Sequence, residues 1–412
     1  MNTRKVVVTG IGMVTSLGLD RDTTWEGIKA GRSGAGPISV FDTEGFRTTF
    51  ACEVKGFDPN TVMDPKDARK ADRYSQLAIA ASQEAMDQAG LEAPENPYRQ
   101  GVVIASGIGG MLTFEEQHSK LLRRGARGVS PMFIPMMIAD MAAGLVSIRF
   151  GLRGPNYCTT SACASAGHAI TSAADQIRLG AADVMLAGGS EAAVCPMAMA
   201  GFGNMKALSA RNDDPTKASR PFDKERDGFV LGEGAGILVL EAEEHAKARG
   251  ATILGELAGY GSTGDANHMT QPAVEGYGAE HSMKQALSVA GIAPEQVGYI
   301  NAHGTSTPWN DKIETLAIRK VFGAHAEKLK VSSTKSMIGH LLGAGGAVEA
   351  AATLMGMREG VLHPTINLVN PDPECDLDYI PGETIKHPVE YALSNSFGFG
   401  GHNVTLCLKV VD

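Results

Sequence analysis

Short runs of β-branched residues alternate along the chain with longer stretches rich in alanine. Because β-branched side chains favour strands and alanine favours helices, the short runs predict strands and the longer ones predict helices. Strands are expected at residues 5–9, 101–106, 183–187, 236–240, 297–302, 330–333, 392–396 and 404–410, and helices at residues 73–89, 162–179, 242–249, 280–290 and 343–357. This alternation is typical of an α/β fold.

Two of the predicted helices consist almost entirely of small residues. Residues 161–174 and 339–352 are mainly glycine, alanine and serine, and each follows a run that ends in serine and threonine. Since a glycine inside a helix costs up to ~1 kcal/mol, several in one helix indicate that another backbone packs closely against it. The pattern favours a duplicated half whose two small-residue helices pack at the centre, over two unrelated alanine-rich helices. No linker rich in proline or serine divides the chain, so one compact unit is expected.

Composition and charge argue against several classes of function and location. The 412 residues include 37 Lys+Arg and 46 Asp+Glu, a net charge of −9, which argues against nucleic acid as a partner. No run of about 18 apolar residues occurs, so no membrane span is predicted. Met1-Asn-Thr-Arg leads straight into an apolar strand, unlike a signal peptide, and the six cysteines form no CxxC pair. A cytoplasmic chain without disulfides is therefore expected.

The glycine-rich turn at residues 9–18 does not support nucleotide binding. A GxGxxG motif that starts at Gly10 needs glycine at position 15, where this chain has Thr15. No GxxxxGK[ST] loop occurs either, so no nucleotide cofactor is predicted.

Cys163 differs from the other cysteines because it lies at the start of a predicted helix. Unsatisfied N–H groups and the helix dipole favour a thiolate there, which would make Cys163 a nucleophile. A small buried cysteine, chosen for the same packing reason as its alanine neighbours, explains the position equally well. Position alone leaves both interpretations open.

Two histidines occupy comparable places. His303 directly follows a predicted strand, and His340 lies at the mouth of the second small-residue helix. Since α/β sheets place their active sites at such strand ends, the imidazoles are expected beside Cys163. Zinc is the rival interpretation, but neither histidine has a further ligand at helical spacing, so no metal site is predicted. One cysteine with two histidines indicates acyl-thioester chemistry.

Charged residues surround the same segments. Lys335 and Glu349 flank the second small-residue helix, where a lone buried charge would cost several kcal/mol. The two are therefore expected to pair with each other or with the histidines. Asp311 and Glu314 follow His303 and are candidates to orient the imidazoles.

Longer motifs give these residues a family context. They are Thr160-Ser-Ala-Cys-Ala, Arg220-Pro-Phe-Asp-Lys-Glu-Arg-Asp-Gly-Phe-Val, Asn301-Ala-His-Gly-Thr-Ser-Thr-Pro, Thr334-Lys-Ser-Met-Ile-Gly-His and Asn395-Ser-Phe-Gly-Phe-Gly-Gly. In these motifs the chain resembles, over essentially its whole length, the condensing enzymes of fatty-acid synthesis of the β-ketoacyl-[acyl-carrier-protein] synthase II type. The resemblance implies a duplicated thiolase-type fold, a five-layer αβαβα sandwich. Its N-terminal half, residues 1–250, would carry Cys163, and its C-terminal half, residues 251–412, would carry the two histidines.

The activity that this resemblance implies is that of a 3-oxoacyl-[acyl-carrier-protein] synthase, an acyltransferase. Cys163 would accept an acyl group from an acyl-carrier protein. Malonyl-carrier protein would then lose carbon dioxide and attack the thioester, giving a product two carbons longer. His303 and His340 would stabilise the enolate, and the backbone N–H groups of Cys163 and Phe399 would form the oxyanion hole.

The resemblance implies the remaining roles in the same way. Lys335 would pair with Glu349 and hold the His340 region, and Phe399 would act as a gate. The implied substrate-binding residues are Thr305, Thr307, Ile108, Phe202 and Asp311, with Ile108 limiting the chain length. Residues 132–137 would reach the pocket of a partner subunit, which implies a homodimer.

No organic cofactor is implied, because the phosphopantetheine belongs to the carrier protein. Members of the family sometimes hold a structural monovalent cation, and the matching positions here are Asn301, Glu349, Ser394 and Asn395. Carrier proteins of this pathway are acidic, so a local basic patch is expected on this acidic chain. One candidate cluster contains Lys66, Arg69 and Lys70, and another contains Arg123, Arg124 and Arg127; a solvated surface explains either as well.

Three alternatives accompany this interpretation. A thiolase-like enzyme acting on coenzyme A needs a second cysteine, and the only candidate, Cys407, lies inside a predicted strand. A non-catalytic partner subunit that sets chain length would lack the nucleophile. His402 stands where the family usually has threonine, and Trp309 where small residues are frequent, so a related synthase of a polyketide or polyene pathway stays open. Trp309 could alter the acyl donor or cover the rim of the tunnel.

Overall fold

The computed structural model describes residues 4–92 and 96–411. Residues 1–3, which belong to the stretch that predicts no signal peptide, lie outside this range. The strands are β1 (Val6–Val14), β2 (Gly36–Pro37), β3 (Phe50–Ala51), β4 (Gln100–Ala105), β5 (Asn156–Tyr157), β6 (Val184–Glu191), β7 (Gly234–Ala242), β8 (Gly255–Gly264), β9 (Val297–Asn301), β10 (Lys330–Ser332), β11 (Val361–Leu362), β12 (Ile385–Lys386), β13 (Tyr391–Gly398) and β14 (His402–Lys409). The helices are α1 (Arg21–Lys29), α2 (Pro65–Ala68), α3 (Arg73–Ala89), α4 (Met111–Arg124), α5 (Phe133–Met137), α6 (Met141–Phe150), α7 (Ser165–Arg178), α8 (Pro196–Asn204), α9 (Glu243–Ala248), α10 (Tyr277–Ala290), α11 (Pro308–Phe322), α12 (Lys335–Ile338) and α13 (Gly345–Glu359).

The main sheet repeats one strand order twice. Its ten strands lie in the order β10-β9-β13-β14-β8-β1-β7-β6-β4-β5. Numbered within each half, both halves read 3-2-4-5-1, and the fifth strand is antiparallel to its neighbours in each. The first strands of the two halves, β1 and β8, pair antiparallel where the halves meet. The duplicated thiolase-type fold is therefore confirmed, while the division of the chain at residue 250 stays a prediction.

Helices and sheet halves stack in five layers. Helices α7 and α13 pack between the two halves of the sheet, α3 and α6 cover the outer face of the first half, and α10 and α11 cover that of the second. A strand between two helix layers points successive side chains to opposite layers, as β7 illustrates. Leu238 and Leu240 face the central helices, and Ile237 and Val239 face α3, so the strand is apolar on both sides.

The small residues of α7 and α13 allow the close packing that their composition predicts. A Cβ atom added to Gly167 of α7 would lie 2.4 Å from Cγ1 of Val404. A Cβ atom added to Gly346 of α13 would lie 2.7 Å from Oγ of Ser396 and 3.3 Å from the backbone nitrogen of Gly167. The two helices thus approach each other and β13 and β14 more closely than larger side chains would permit.

All the predicted strands and helices are present, with ends that differ by a few residues. Strand β8 was not predicted, because its glycine and polar residues do not form an apolar run, and it is half-exposed along much of its length. The amphipathic helices α1, α4 and α11 were not predicted either, since they carry many charged residues. In the described part of the chain, no helix is long and apolar enough to span a membrane.

Candidate active site

A strained turn presents Cys163 at the N-terminal end of α7. Ala162 has a φ of +51°, a left-handed conformation that is unusual for a residue with a side chain. Local hydrogen bonds hold this turn: the backbone N–H of Ser161 donates to Oγ of Ser165 at 2.8 Å, and that hydroxyl donates to the carbonyl of Ala162 at 2.6 Å. A strained backbone conformation persists only where the surrounding structure holds it in place, and such residues cluster at active sites.

Cys163, His303 and His340 lie together, as the sequence predicts. Nε2 of His340 is 3.0 Å from Sγ of Cys163, and the two imidazole rings meet edge to face with centroids 5.4 Å apart. All three side chains are buried, with 9%, 2% and 3% of their surface exposed. The thiol and both imidazoles can therefore contact one bound thioester.

The backbone around each histidine is anchored. The N–H groups of His303 and Gly304 donate to the two carboxylate oxygens of Glu314, each at 2.9 Å. The N–H of His340 donates to the carbonyl of Val230 at 2.7 Å. Glu314 thus acts on the backbone of His303 and not on its ring, which refines the expectation that it orients an imidazole.

Burial keeps all three reacting groups uncharged. Desolvation, together with the nearby charge of Lys335, holds the pKa of His303 and of His340 well below the ordinary value. Desolvation also raises the pKa of Cys163 to about 11, although Lys335 and the N–H groups of Phe399 and Cys163 act in the opposite direction. Burial thus opposes the thiolate that the helix start favours, because desolvation outweighs the nearby favourable charges.

Lys335 and Glu349 form the ion pair that the sequence predicts. Nζ of Lys335 donates to Oε1 of Glu349, and the side chains are 2% and 1% exposed. The pair links α12 to α13 directly behind the histidines. A buried pair of this kind is costly to break, because either partner alone would be a buried charge.

A cavity of about 430 Å³ leads from the reacting groups to the surface. The predicted gate and four of the predicted substrate-binding residues line it: Phe399, Ile108, Phe202, Thr305 and Thr307. The hydroxyls of Thr305 and Thr307 are hydrogen-bonded at 2.9 Å. The structure therefore brings these residues to one space beside Cys163.

Asp311 is a correction, because its side chain does not reach the cavity. It is fully buried, and its carboxylate accepts hydrogen bonds from the backbone N–H groups of Phe222 at 2.8 Å and Ser306 at 3.2 Å. Nε of Arg226 lies 3.7 Å from it. Asp311 thus holds the loop that follows His303 and does not contact the substrate space.

The predicted docking residues Lys66, Arg69 and Lys70 lie on and just after the short helix α2 and are exposed. None of them lines the cavity. The basic residue at the cavity mouth is Lys206, which is also exposed. Their role in binding a carrier protein stays a prediction.

The site offers possible metal or cation donors. Ligand atoms of Cys163, His303 and His340 lie within 4.8 Å of one another, a spacing that would also suit a metal ion. Oε2 of Glu349 and Oγ of Ser394 are buried and lack a hydrogen-bond partner among the described residues, which fits a monovalent cation at these two predicted positions.

Two groups at the site were not predicted from the sequence. The ring of Phe229 meets the rings of His340 and Phe202 edge to face, at 5.3 and 5.4 Å. The carboxylate of Glu191 is fully buried and accepts hydrogen bonds from the N–H groups of Gly107 at 2.7 Å and Gly343 at 2.9 Å. The motif that begins at Arg220 contains Phe229 and was the available signal, whereas nothing in the sequence around Glu191 indicates a site.

A buried thiol at the start of a helix, beside two imidazoles and an open cavity, is an arrangement suited to covalent catalysis. The sequence matches the family models described as "Beta-ketoacyl synthase, N-terminal domain" over residues 3–246 and "Beta-ketoacyl synthase, C-terminal domain" over residues 254–369. The chain belongs to the beta-ketoacyl synthase family, and it is a condensing enzyme of the acyltransferase class.

Similar proteins cover the chain from end to end. The 3-oxoacyl-[acyl-carrier-protein] synthase 2 of Synechocystis sp. is 52% identical over 98% of both chains, and that of Coxiella burnetii is 51% identical over the whole of both. A solved beta-ketoacyl synthase from Burkholderia phymatum STM815 is 39% identical, with a TM-score of 0.93 over 99% of this chain and all of the other. A type II polyketide ketosynthase solved with its acyl-carrier protein is 36% identical, with a TM-score of 0.93 over both complete chains.

Proposed function

We propose that this chain is a 3-oxoacyl-[acyl-carrier-protein] synthase that elongates fatty acyl chains by two carbons through Cys163. The contact between Sγ of Cys163 and Nε2 of His340, beside His303 in the closed end of the cavity, carries the proposal. The identity of 51–52% with relatives named 3-oxoacyl-[acyl-carrier-protein] synthase 2 supports it.

The first step is acyl transfer to Cys163. Its sulfur attacks the carbonyl of an acyl thioester carried by an acyl-carrier protein, and the carrier's sulfur leaves. The thiol proton passes to the departing sulfur, so the step is neutral overall. The backbone N–H groups of Cys163 and Phe399 act to lower the pKa of the Cys163 thiol, and this supports their proposed role as donors to the oxyanion that forms during the transfer.

The second step joins two carbons. Malonyl-carrier protein loses carbon dioxide, the resulting enolate carbon attacks the thioester on Cys163, and the Cys163 sulfur leaves as a thiolate that takes up a proton from water to restore the thiol. Because their pKa values are lowered, His303 and His340 are neutral N–H donors that can stabilise the enolate oxygen without protonating it. Such donors are commonly worth ~3–4 kcal/mol each.

Product analysis tests this proposal. With acyl- and malonyl-carrier proteins, the enzyme should release carbon dioxide and form a 3-oxoacyl chain two carbons longer. Cys163→Ala should form none, while Cys407→Ala, at a buried cysteine in β14 that does not line the cavity, should keep the activity. Loss of activity in Cys407→Ala alone would favour the thiolase alternative instead.

A polyketide or polyene synthase is the second candidate, supported by the type II polyketide ketosynthase at 36% identity. The same assay distinguishes the two. Products that gain several two-carbon units on one chain without reduction would favour the polyketide or polyene synthase. A single two-carbon extension would favour fatty-acid elongation.

We also propose that an acidic acyl-carrier protein docks on Lys66, Arg69 and Lys70, whose exposure and charge support the assignment. Lys66→Glu with Arg69→Glu should raise the Michaelis constant (KM) for carrier-bound substrate and leave that for an acyl-pantetheine unchanged. Lys386→Glu makes the same kind of charge change on β12 and should have no effect. An unchanged constant in the double variant would place docking elsewhere.

Three further proposals concern the state of the protein. A homodimer is supported by exposed apolar side chains next to the Ile108 turn, among them Ile134 at 55% exposure, and sedimentation velocity tests it. A monovalent cation at Glu349 and Ser394 is supported by their oxygens, which lack a hydrogen-bond partner among the described residues. Replacing potassium and sodium with choline should then lower the melting temperature.

A cytoplasmic location is supported by six free thiols, and cell fractionation tests it.

A further inference from the structure

One wall of the cavity is a single segment that runs from the reacting groups to the surface. Its side chains become steadily more exposed: His303 is 2% exposed, Thr305 6% and Trp309 55%. All of them line the cavity. The indole of Trp309 therefore lies at the mouth, on the same wall as His303.

The side chains of this wall alternate. His303, Thr305, Thr307 and Trp309 face the cavity, whereas Ser306 faces the interior and its Oγ accepts a hydrogen bond from the N–H of Arg220 at 3.0 Å. A bound chain that extends from Cys163 to the surface would thus pass one imidazole, two hydroxyls and one indole in succession.

The backbone under Trp309 is held rigidly. The buried guanidinium of Arg226 donates to the carbonyl of Thr307 at 3.1 Å and to that of Pro308 at 2.9 Å. The carboxylate of Asp311, which lies 3.7 Å from Nε of Arg226, accepts from the N–H of Ser306. Because these bonds fix the start of α11, Trp309 loses little backbone freedom when something packs on it.

The residues that face this wall near the mouth offer mixed chemistry. Met205 and Pro272 supply apolar surface, while Gln271 supplies an amide. Oδ1 of Asp227 is buried and lacks a partner among the described residues. A suitable occupant therefore combines amide and hydroxyl groups with an apolar part, as the pantetheine arm does with its two amides, one hydroxyl and gem-dimethyl group.

We propose that Trp309 is a specificity-determining residue that packs against the outer, gem-dimethyl part of the pantetheine arm and so selects full-length pantetheine thioesters over short ones. The proposal rests on the proposed function, in which Cys163 reacts with such thioesters. The indole contributes apolar contact area to a flexible arm at the one place where the cavity is open to water.

Steady-state kinetics with two acyl donors tests this assignment. Acyl-pantetheine reaches the mouth, whereas an acyl-N-acetylcysteamine thioester ends near Thr305 and Thr307. The wild type should prefer acyl-pantetheine in kcat/KM, and Trp309→Ala should reduce that preference about tenfold, through KM. Trp309→Phe should reduce it less. Leu179→Ala, which removes an apolar side chain that is 81% exposed at the end of α7, is the control and should not change it.

Fluorescence provides a readout that does not depend on turnover. The chain has two tryptophans, and Trp25 is buried and donates to Glu359 at 2.7 Å. In a Cys163→Ala background, acyl-pantetheine should change the emission, and this change should disappear in Trp309→Phe. N-acetylcysteamine thioesters should cause no change.

Two kinetic results would overturn the assignment: an unchanged preference for acyl-pantetheine in Trp309→Ala, or an increased one, which would mean that the indole only obstructs the mouth. An emission change that survives in Trp309→Phe would also overturn it. Failure of the proposed function itself would look different. In that case no donor would acylate Cys163 in the wild type, whatever residue occupies position 309.

Discussion

At the scale of single residues, the site works with three side chains that carry no charge at neutral pH. Burial produces this state, since it raises the pKa of Cys163 and lowers those of both histidines. Neutral imidazoles can donate to an enolate without protonating it. In the proposed acyl transfer, a neutral thiol becomes reactive only as its proton leaves.

The pKa of Cys163 predicts how fast it is alkylated at each pH. With a pKa of about 11, only ~10⁻⁴ of the thiol is ionised at pH 7, so alkylation by iodoacetamide should rise about tenfold per pH unit from 7 to 9. Mass mapping of the Cys163 peptide measures this rate, with the half-exposed Cys158 as internal comparison. A rate that levels off below pH 8 would show that the thiolate is favoured after all.

Removing one histidine should separate the two steps of the reaction. His303 has no hydrogen bond to the Cys163 sulfur, so His303→Ala should still accept an acyl group. Its loss of a donor to the enolate should slow condensation by about 10²–10³-fold. Single-turnover measurements follow the steps separately, and an equal fall in both would contradict the assignment of His303 to the enolate.

At the scale of elements, the packing of the central helices can be tested with two helical glycines. Gly167→Ala in α7 places a methyl group against the stiff side chain of Val404 and should destabilise the fold by about 1–3 kcal/mol. Gly201→Ala in α8 has nothing within 4 Å of the added carbon and should stabilise it by up to ~1 kcal/mol. Denaturant unfolding gives both values; equal effects would mean that α7 is not tightly packed.

The ion pair that joins α12 to α13 gives a second test at this scale. Lys335→Met should cost about 3–5 kcal/mol of unfolding free energy, because it leaves the carboxylate of Glu349 buried and unpaired. Lys335→Met with Glu349→Leu removes both charges and should regain most of that loss. Both variants should be inactive if Lys335 is needed beside the histidines. A double variant as unstable as the single one would show that the charges are not coupled.

The elements also show what the sequence can and cannot predict. Apolar runs locate β1, β6 and β7, because these strands are buried on both faces. Strand β8 has no such run, because only alternate residues along its first half are buried. Asp311 was misassigned for a related reason, since spacing in the sequence places it near His303 but does not show that its carboxylate turns back to bind the loop.

At the scale of the whole molecule, the duplication creates the site. Cys163 comes from the first half and His340 from the second, 177 residues further along, and they meet where the central helices of the two halves pack together. Both residues can be recognised from their sequence motifs, because a short stretch of sequence specifies the turn that holds each of them. Their distance of 3.0 Å depends on the pairing of β1 with β8 and on the contact between α7 and α13, which no local pattern encodes.

The intact mass of the protein after incubation with acyl-carrier proteins of several chain lengths tests most directly whether Cys163 carries the acyl group. We expect a gain equal to one acyl group in the wild type and no gain in Cys163→Ala, with the mass recovered after hydroxylamine cleaves the thioester. No gain with any donor, or the same gain in Cys163→Ala, would show that Cys163 does not carry the acyl group.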